Sequence, residues 1–246
     1  MLLLGGYILV LGIVGVCGGG SVEPALGRDV STLLVVSAKG LGIFGVVFGL
    51  ACLASCASAD DLLLRWRPSK WVVLLGLGYS IVLRVAIGVA AGTVSLLLIG
   101  SGLVSQEEIA RFATSNRPEV EALVDVKALQ GDSSYFWLTT TLVSFVVAGL
   151  REELWRAGFM AALSKLWPGL FGSTAGQFLA VGIAAVSFGS AHAVQGVIAV
   201  GVTALLGFGL GAIMIVHRSI WPAVVAHGCF NSTSFALLPW AMELMK

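Results

Sequence analysis

The sequence predicts an all-α fold, a polytopic bundle of transmembrane helices. Of its 246 residues, 58% are hydrophobic and only 11% are charged. Soluble domains carry about 25% charged residues, so this chain has too few polar groups to cover a water-facing surface. Apolar runs of about 20 residues recur along the chain, which is the length that a helix needs to cross the hydrocarbon core of a bilayer.

Seven apolar stretches are long enough to be spans, and the count becomes eight if one long stretch is a broken pair of helices. The 32 glycines agree with this fold, since small residues let membrane helices approach closely. The first stretch is predicted to be a transmembrane helix, because no basic residue precedes it as in a signal peptide. The predicted spans are 2–19, 31–56, 71–100, 135–163, 177–194, 197–216 and 219–240.

Two polar connections organise the chain. The connection from Asp60 to Lys70 is basic, which predicts that it faces the cytoplasm. The connection from Ser105 to Ser134 is predicted to be an amphipathic helical segment, interrupted at Pro118, at the opposite face. We therefore expect N-terminal transmembrane helices with a polar loop (1–134, with the loop at 105–134), followed by a helical core (135–240).

The charge of the chain excludes one class of partner, and its cysteines indicate packing. The formal net charge is +1 and the basic residues are scattered, which argues against a nucleic-acid partner. The partner that the composition predicts is the lipid bilayer. The cysteines lie in apolar, helix-like sequence and are interpreted as packing residues: Cys17, Cys52, Cys56 and Cys229.

Ionisable residues inside the spans are the strongest functional signal. A charge at the bilayer centre costs about 2.5–3.5 kcal/mol even on a lenient scale, so such residues persist where the protein uses them. In chain order they are Lys39, Arg84, the group Arg151, Glu152, Glu153 and Arg156, then His192, His217 and His227. In the charged group, Arg156 is spaced i,i+4 from Glu152 and i,i+3 from Glu153, and either pair can form an ion pair. The other carboxylate is then free to act as a base.

Two further pairs have helical spacing. Phe188 and His192 are four residues apart, as are His227 and Asn231, so each pair shares one helix face. Taken singly, each pair also fits a packing role or a hydrogen bond between helices. Together with the glutamates, they supply the groups that hydrolyse an amide without a covalent intermediate. A carboxylate takes a proton from water, a histidine assists it, and a second histidine with an asparagine stabilises the oxyanion.

These three clusters resemble the CPBP family of intramembrane metalloproteases, which includes the type II CAAX prenyl proteases and Abi-like, bacteriocin-processing homologues. That family shows a Glu-Glu pair followed by Arg, then Phe-x-x-x-His, then His-x-x-x-Asn, on separate membrane helices. The resemblance covers about Leu142 to Ser234. It implies an intramembrane endopeptidase whose partner is a peptide or protein substrate at the membrane, either membrane-associated or prenylated. The composition predicts an integral membrane protein of a prokaryotic plasma (inner) membrane.

By this resemblance the catalytic residues are Glu152, Glu153, His192, His227 and Asn231, with Arg156 and Phe188 in support. Arg84 lies outside the stretch that resembles the family and is a further supporting candidate. One spacing differs, since two residues separate the glutamates from Arg156 where the family usually has three. We favour the register that retains both carboxylates, with Glu152 as the base and Glu153 as its supporting partner. Arg84 is the candidate that neutralises the glutamate pair.

Three alternatives remain open at this stage. A zinc ion held by Glu152, His192 and His227 would leave a fourth position for water, although no His-Glu-x-x-His motif is present. A proton-coupled transporter also uses buried Glu and His, although no internal repeat of the transporter kind is present. A catalytically silent scaffold is the third alternative.

Overall fold

The computed structural model describes residues 24–66 and 70–244, and in this part of the chain every regular element is helical. The all-α prediction is therefore confirmed. The helices are α1 (Val30–Ser55), α2 (Val72–Gly100), α3 (Gln106–Ser115), α4 (Val126–Gly131), α5 (Ser133–Leu166), α6 (Pro168–Phe171), α7 (Thr174–Ser190), α8 (Val197–His217) and α9 (Trp221–Leu244). Single 3₁₀ turns cover Val120–Ala122 and Ala193–Gln195.

Four of the described helices, α1, α2, α5 and α8, are long and apolar enough to cross a membrane. Helix α7 is apolar but has only 17 residues, and α9 contains several polar residues. Every predicted span from residue 31 onward falls on a helix, whereas span 2–19 lies outside the described residues. The predicted count of seven or eight spans therefore stays a prediction.

The outer surface of α1 and α2 is apolar. Exposed side chains include Leu34, Ile43 and Leu50 on α1, and Val73, Ile81 and Val89 on α2. Such a continuous apolar face is unfavourable in water and is typical of contact with lipid. Exposed tryptophans lie near both ends of the bundle, where membrane proteins place interfacial aromatic belts: Trp66, Trp71 and Trp167 at one end, Trp137 and Trp240 at the other.

Hydrogen bonds between connections define the two ends. At the first end, which we call the basic end, Lys165 donates to Asp61 over 2.9 Å and Ser219 donates to the carbonyl of Arg65 over 3.2 Å. At the opposite end, residues 116–125 form a segment that we call the cap. Its Glu119 amide donates to the carbonyl of Gln195 over 3.0 Å, so the cap lies against the connection between α7 and α8.

The polar stretch 105–134 is helical in pieces, as predicted. Ser105 and Glu108 form a capping box that starts α3, because each side chain bonds the backbone amide of the other residue. The helix ends at Ser115, and the chain is irregular around Pro118 before the 3₁₀ turn. The break agrees with proline's lack of an amide donor.

Helix α5 has an unusual middle section. Residues Thr139–Leu150 have wider turns with i→i+5 hydrogen bonding, and the Ser144 hydroxyl also donates to the carbonyl of Thr139 over 2.9 Å. Ordinary α-helical geometry resumes at Arg151. Turns of this kind are rare and are often found at functional sites. Here they immediately precede the charged group.

Helix α9 lies directly against α5. A Cβ atom added to Gly228 would lie 2.2 Å from a ring carbon of Phe145, so only glycine permits this approach as the side chains stand. Close contact through small residues is the usual way in which membrane helices pack. It brings the polar face of α9 to the charged group of α5.

The connection between α7 and α8 differs from the prediction. The span 177–194 was expected to continue to residue 194, but α7 ends at Ser190 and a 3₁₀ turn follows. Gly196 then has φ +98°, a conformation that glycine adopts without strain, and α8 begins at the next residue. Because α7 is short, His192 lies below the cap and not at the outer surface of the bundle. This placement explains how His192 reaches the depth of Glu152.

Candidate active site

His227 lies between the two adjacent glutamates. Its Nδ1 is 2.9 Å from Oε1 of Glu153, and its Nε2 is 3.7 Å from Oε2 of Glu152. The carboxylate of Glu153 accepts the first hydrogen bond, so Nδ1 carries a proton. Nε2 is then the ring atom that faces Glu152. The contact joins the charged group of α5 to the His-x-x-x-Asn pair of α9, as the sequence predicted.

Glu153 and Arg156 form a fully buried ion pair. Nη1 of Arg156 donates to Oε2 of Glu153, and both side chains have no exposed surface. The guanidinium carbon also lies 5.0 Å from the ring centroid of Phe188, a cation–π distance. Of the two pairings that helical spacing allowed, the structure therefore has the one between Glu153 and Arg156.

Glu152 has a different environment. Its Oε1 accepts a hydrogen bond from Arg151 over 3.0 Å, and its side chain is 14% exposed, towards a cavity. Glu153 has both oxygens engaged and no access to the cavity, whereas Oε2 of Glu152 has only the distant His227 as a neighbour. Glu152 is therefore the carboxylate that can receive a proton from a molecule in the cavity.

His192 is held in one tautomer by its own helix. Its Nδ1 lies 2.8 Å from the carbonyl oxygen of Phe188, and a carbonyl can only accept, so Nδ1 donates. In the neutral ring Nε2 then carries the lone pair. The Phe188 ring lies 4.7 Å from the His192 ring and 6.2 Å from the His227 ring, so one phenyl group positions both imidazoles.

A cavity of about 410 Å³ joins these groups. Glu152, His192, His227 and Asn231 all line it, and residues of the cap close it on one side. Apolar side chains form most of the remaining wall, as in typical ligand pockets. A smaller cavity of about 230 Å³ shares Arg151, Glu152, His192 and Gln195 with it. The structure thus brings together three sequence clusters that are separated by up to 79 residues along the chain.

Asn231 faces this cavity with no hydrogen-bond partner for its carboxamide among residues 24–66 and 70–244. Arg84 does not take the role expected of it. It donates to the carbonyl of Phe230 and to the hydroxyls of Thr233 and Ser234, and its guanidinium lies 4.0 Å from the Phe230 ring centroid. Arg84 therefore fixes α2 to α9, and Arg151 and Arg156 are the cations beside the glutamates.

Two of the remaining ionisable residues are apart from the site. His217, at the end of α8, forms a 2.8 Å hydrogen bond with the Tyr79 hydroxyl, and Lys39 is exposed on α1. The sequence analysis missed Gln195, which lines both cavities, because this residue carries no charge and does not lie four residues from another candidate residue. The glycine that follows Gln195 was the available signal of an irregular turn at this point.

The zinc set of Glu152, His192 and His227 is not assembled. In the part of the chain that the structure describes, no three His, Cys, Asp or Glu side chains lie close enough together to hold a metal ion.

The apolar helices define the class of protein, an α-helical membrane protein, and the two glutamates and two histidines form its candidate active site. Residues 134–233 match the sequence model of a family described as type II CAAX prenyl endopeptidase, Rce1-like. Over these residues the chain is similar to this family of proteases, and its apolar helices are those of an integral membrane protein. No curated protein and no solved structure matches the chain.

Proposed function

We propose that the protein is an intramembrane endopeptidase that cuts a peptide bond of a membrane-associated substrate of the prenylated CAAX type. The observation that carries the proposal is the single cavity lined by Glu152, His192, His227 and Asn231. Two of these residues, Glu152 and His192, can act on the attacking water, and the other two can act on the oxyanion, and all four line the same space.

Glu152 is the proposed general base. A water molecule between Glu152 and the substrate transfers a proton to the carboxylate as its oxygen attacks the peptide carbonyl carbon. The lone pair on Nε2 of His192 accepts a hydrogen bond from the same water and orients it. The proton then passes from Glu152 to the leaving nitrogen as the carbon–nitrogen bond breaks, so the base is restored.

His227 and Asn231 are the proposed oxyanion donors. The carbonyl oxygen becomes negatively charged in the tetrahedral intermediate, and donors aimed at that position lower the barrier. The Asn231 carboxamide has no competing partner among the described residues, and its NH₂ group can donate. In its protonated form His227 donates from Nε2, while Glu153 holds the other side of the ring. Arg156 and Phe188 support this arrangement by fixing Glu153 and both imidazoles.

The first test is the Glu152→Gln variant in proteoliposomes. Glutamine keeps the size of the side chain but cannot take a proton, so cleavage of an internally quenched, farnesylated peptide with a CAAX-type end should fall by about 10²- to 10⁴-fold. Glu107→Gln, which changes an exposed carboxylate on α3, is the matched control and should retain wild-type activity. Full proteolysis by Glu152→Gln would exclude this assignment of the base.

A second test compares a farnesylated peptide with the same peptide without its lipid group. It asks whether the protein needs prenylation of the substrate, apart from whether it cleaves a peptide bond. Cleavage of both at equal rates would retain the endopeptidase and remove prenylation from the proposal. If the purified protein cleaves neither, the scaffold and transporter alternatives replace it.

A further inference from the structure

Gln195 occupies a fixed position below the cap. Its amide donates to the carbonyl of His192 over 2.9 Å, and its carbonyl accepts from the amide of Glu119 over 3.0 Å. Gly196, with φ +98°, then directs the chain into α8. The backbone of Gln195 is therefore tied both to the histidine of the candidate site and to the cap.

The side chain of Gln195 faces the cavities and is not bonded. The residue is only 7% exposed and its carboxamide has no hydrogen-bond partner within residues 24–66 and 70–244, but its nitrogen and oxygen are not fully enclosed. The carboxamide therefore reaches the space of the cavities, where its two donor hydrogens and its acceptor oxygen can bind a partner. A glutamine in this place offers hydrogen bonds to a molecule that enters from outside the chain.

The two cavities meet at this residue. Gln195 lines both of them, beside Arg151, Glu152 and His192. Phe44, Leu123 and Phe188 supply much of the remaining wall of the smaller cavity, and these three side chains have no hydrogen-bonding groups. An extended peptide that passes Glu152 would bury its main-chain N–H and C=O groups here, and each of them needs a partner.

We propose that Gln195 is a substrate-binding residue whose carboxamide hydrogen-bonds to a main-chain amide of the peptide, within a few residues of the cleaved bond. The contact holds the substrate between Glu152 and His192 and offsets the desolvation of its backbone. This inference rests on the proposed endopeptidase function and assigns to it a residue outside the three sequence clusters.

The test compares Gln195→Met with Gln106→Met. Methionine keeps the length of the side chain without its polar groups, and Gln106 is an exposed glutamine on α3. For Gln195→Met we expect kcat/KM on the farnesylated peptide to fall by about 5- to 100-fold, mainly through KM, while Tm stays equal to that of the wild type or rises. The control variant should change neither quantity.

Peptides in which one amide near the cleaved bond is replaced by an ester identify the partner. The wild type should cleave one of these ester peptides more slowly than the all-amide peptide. Gln195→Met should cleave the two peptides at equal rates. A lowered Tm for Gln195→Met would assign the residue a structural role and overturn the inference. If the wild type is active and Gln195→Met has the same kcat/KM, the inference about Gln195 is overturned too, but the proposed endopeptidase function stands. A wild type that cleaves no peptide would instead reject the proposed function, and this inference with it.

Discussion

Glu152 and Glu153 are neighbours in sequence, but their side chains have opposite environments. Glu153 is fully enclosed and bonded to Arg156 and His227, whereas Glu152 reaches the cavity. A buried ion pair is stable only while both partners are present. If one partner is removed, the other charge stays desolvated and has no counter-ion to compensate for it. The two residues should therefore respond differently to the same substitution.

We predict that Glu153→Gln lowers the free energy of unfolding by about 3–5 kcal/mol, since it leaves Arg156 as a buried cation without its counter-ion. Glu152→Gln is the matched control at the adjacent position and should lower stability much less, because its side chain is partly exposed and its close contact is with Arg151, which is itself partly exposed. Unfolding in detergent by a graded denaturant measures both. Equal losses for the two variants would contradict the assigned roles.

At this scale, helical spacing predicted which side chains share a face, and the structure brings those clusters together. The spacing left open which glutamate binds Arg156, because i,i+3 and i,i+4 neighbours are both within reach on a helix. The choice depends on His227, which approaches from α9 and engages Glu153. The predicted role of Arg84 was wrong for a similar reason, because it also depends on a contact between distant helices. The hydrogen-bond partners of Arg84 are on α9, 146–150 residues away in sequence.

Among the elements, α7 and α8 pack through a glycine. A Cβ atom on Gly189 would lie 2.6 Å from the carbonyl oxygen of Val200, and a backbone atom cannot move aside as a flexible side chain can. We predict that Gly189→Ala lowers the free energy of unfolding by about 1–3 kcal/mol and also reduces proteolysis, because His192 lies just past the end of this helix.

Gly182→Ala provides the control within the same helix. Nothing lies within 4 Å of a Cβ atom at Gly182, so the substitution should be neutral or raise stability by about 0.5–1 kcal/mol through the helix propensity of alanine. Thermal unfolding and cleavage rate are measured on both variants. A Gly189→Ala protein as stable and active as Gly182→Ala would show that α7 and α8 can separate freely.

Apolar length predicted the positions of six helices, but it did not predict where α7 ends. Apolar sequence continues past Ser190, so hydropathy alone extends the helix. The actual end depends on the 3₁₀ turn, on the positive φ of Gly196 and on the contact with Glu119, which is distant in the sequence. Such long-range contacts are not visible in a local pattern.

For the molecule as a whole, the basic end is held by a few polar contacts outside the spans. The hydrogen bond from Lys165, together with those from the Ser58 amide and hydroxyl, lowers the pKa of Asp61 from 3.8 to about 2. A lowered pKa means that the ionised form is favoured by folding. The resulting stabilisation is present above pH 3.8 and is lost as the pH falls towards 2.

We therefore predict that Asp61→Asn lowers Tm at pH 7, and that its difference from the wild type disappears between about pH 4 and pH 2. Because Asp61 is partly exposed, the effect should also weaken at high salt. Glu107→Gln serves again as the exposed carboxylate control and should match the wild type throughout. A difference that persists unchanged at pH 2 would show that the side chain acts through its shape and not its charge.

The wide turns of α5 affect how the protein tolerates insertions and deletions. In an α-helix each residue advances the direction of the side chains by about 100°. Loss of one residue from Thr139–Leu150 would let this stretch relax towards ordinary helix, but the two halves of α5 would then be out of angular phase. The later half is fixed by Glu153 and His227, and the earlier half by the Tyr135 hydroxyl, which donates to the carbonyl of Gly27 over 2.9 Å. Among related sequences, the number of residues between these two anchors should therefore vary less than the residues themselves.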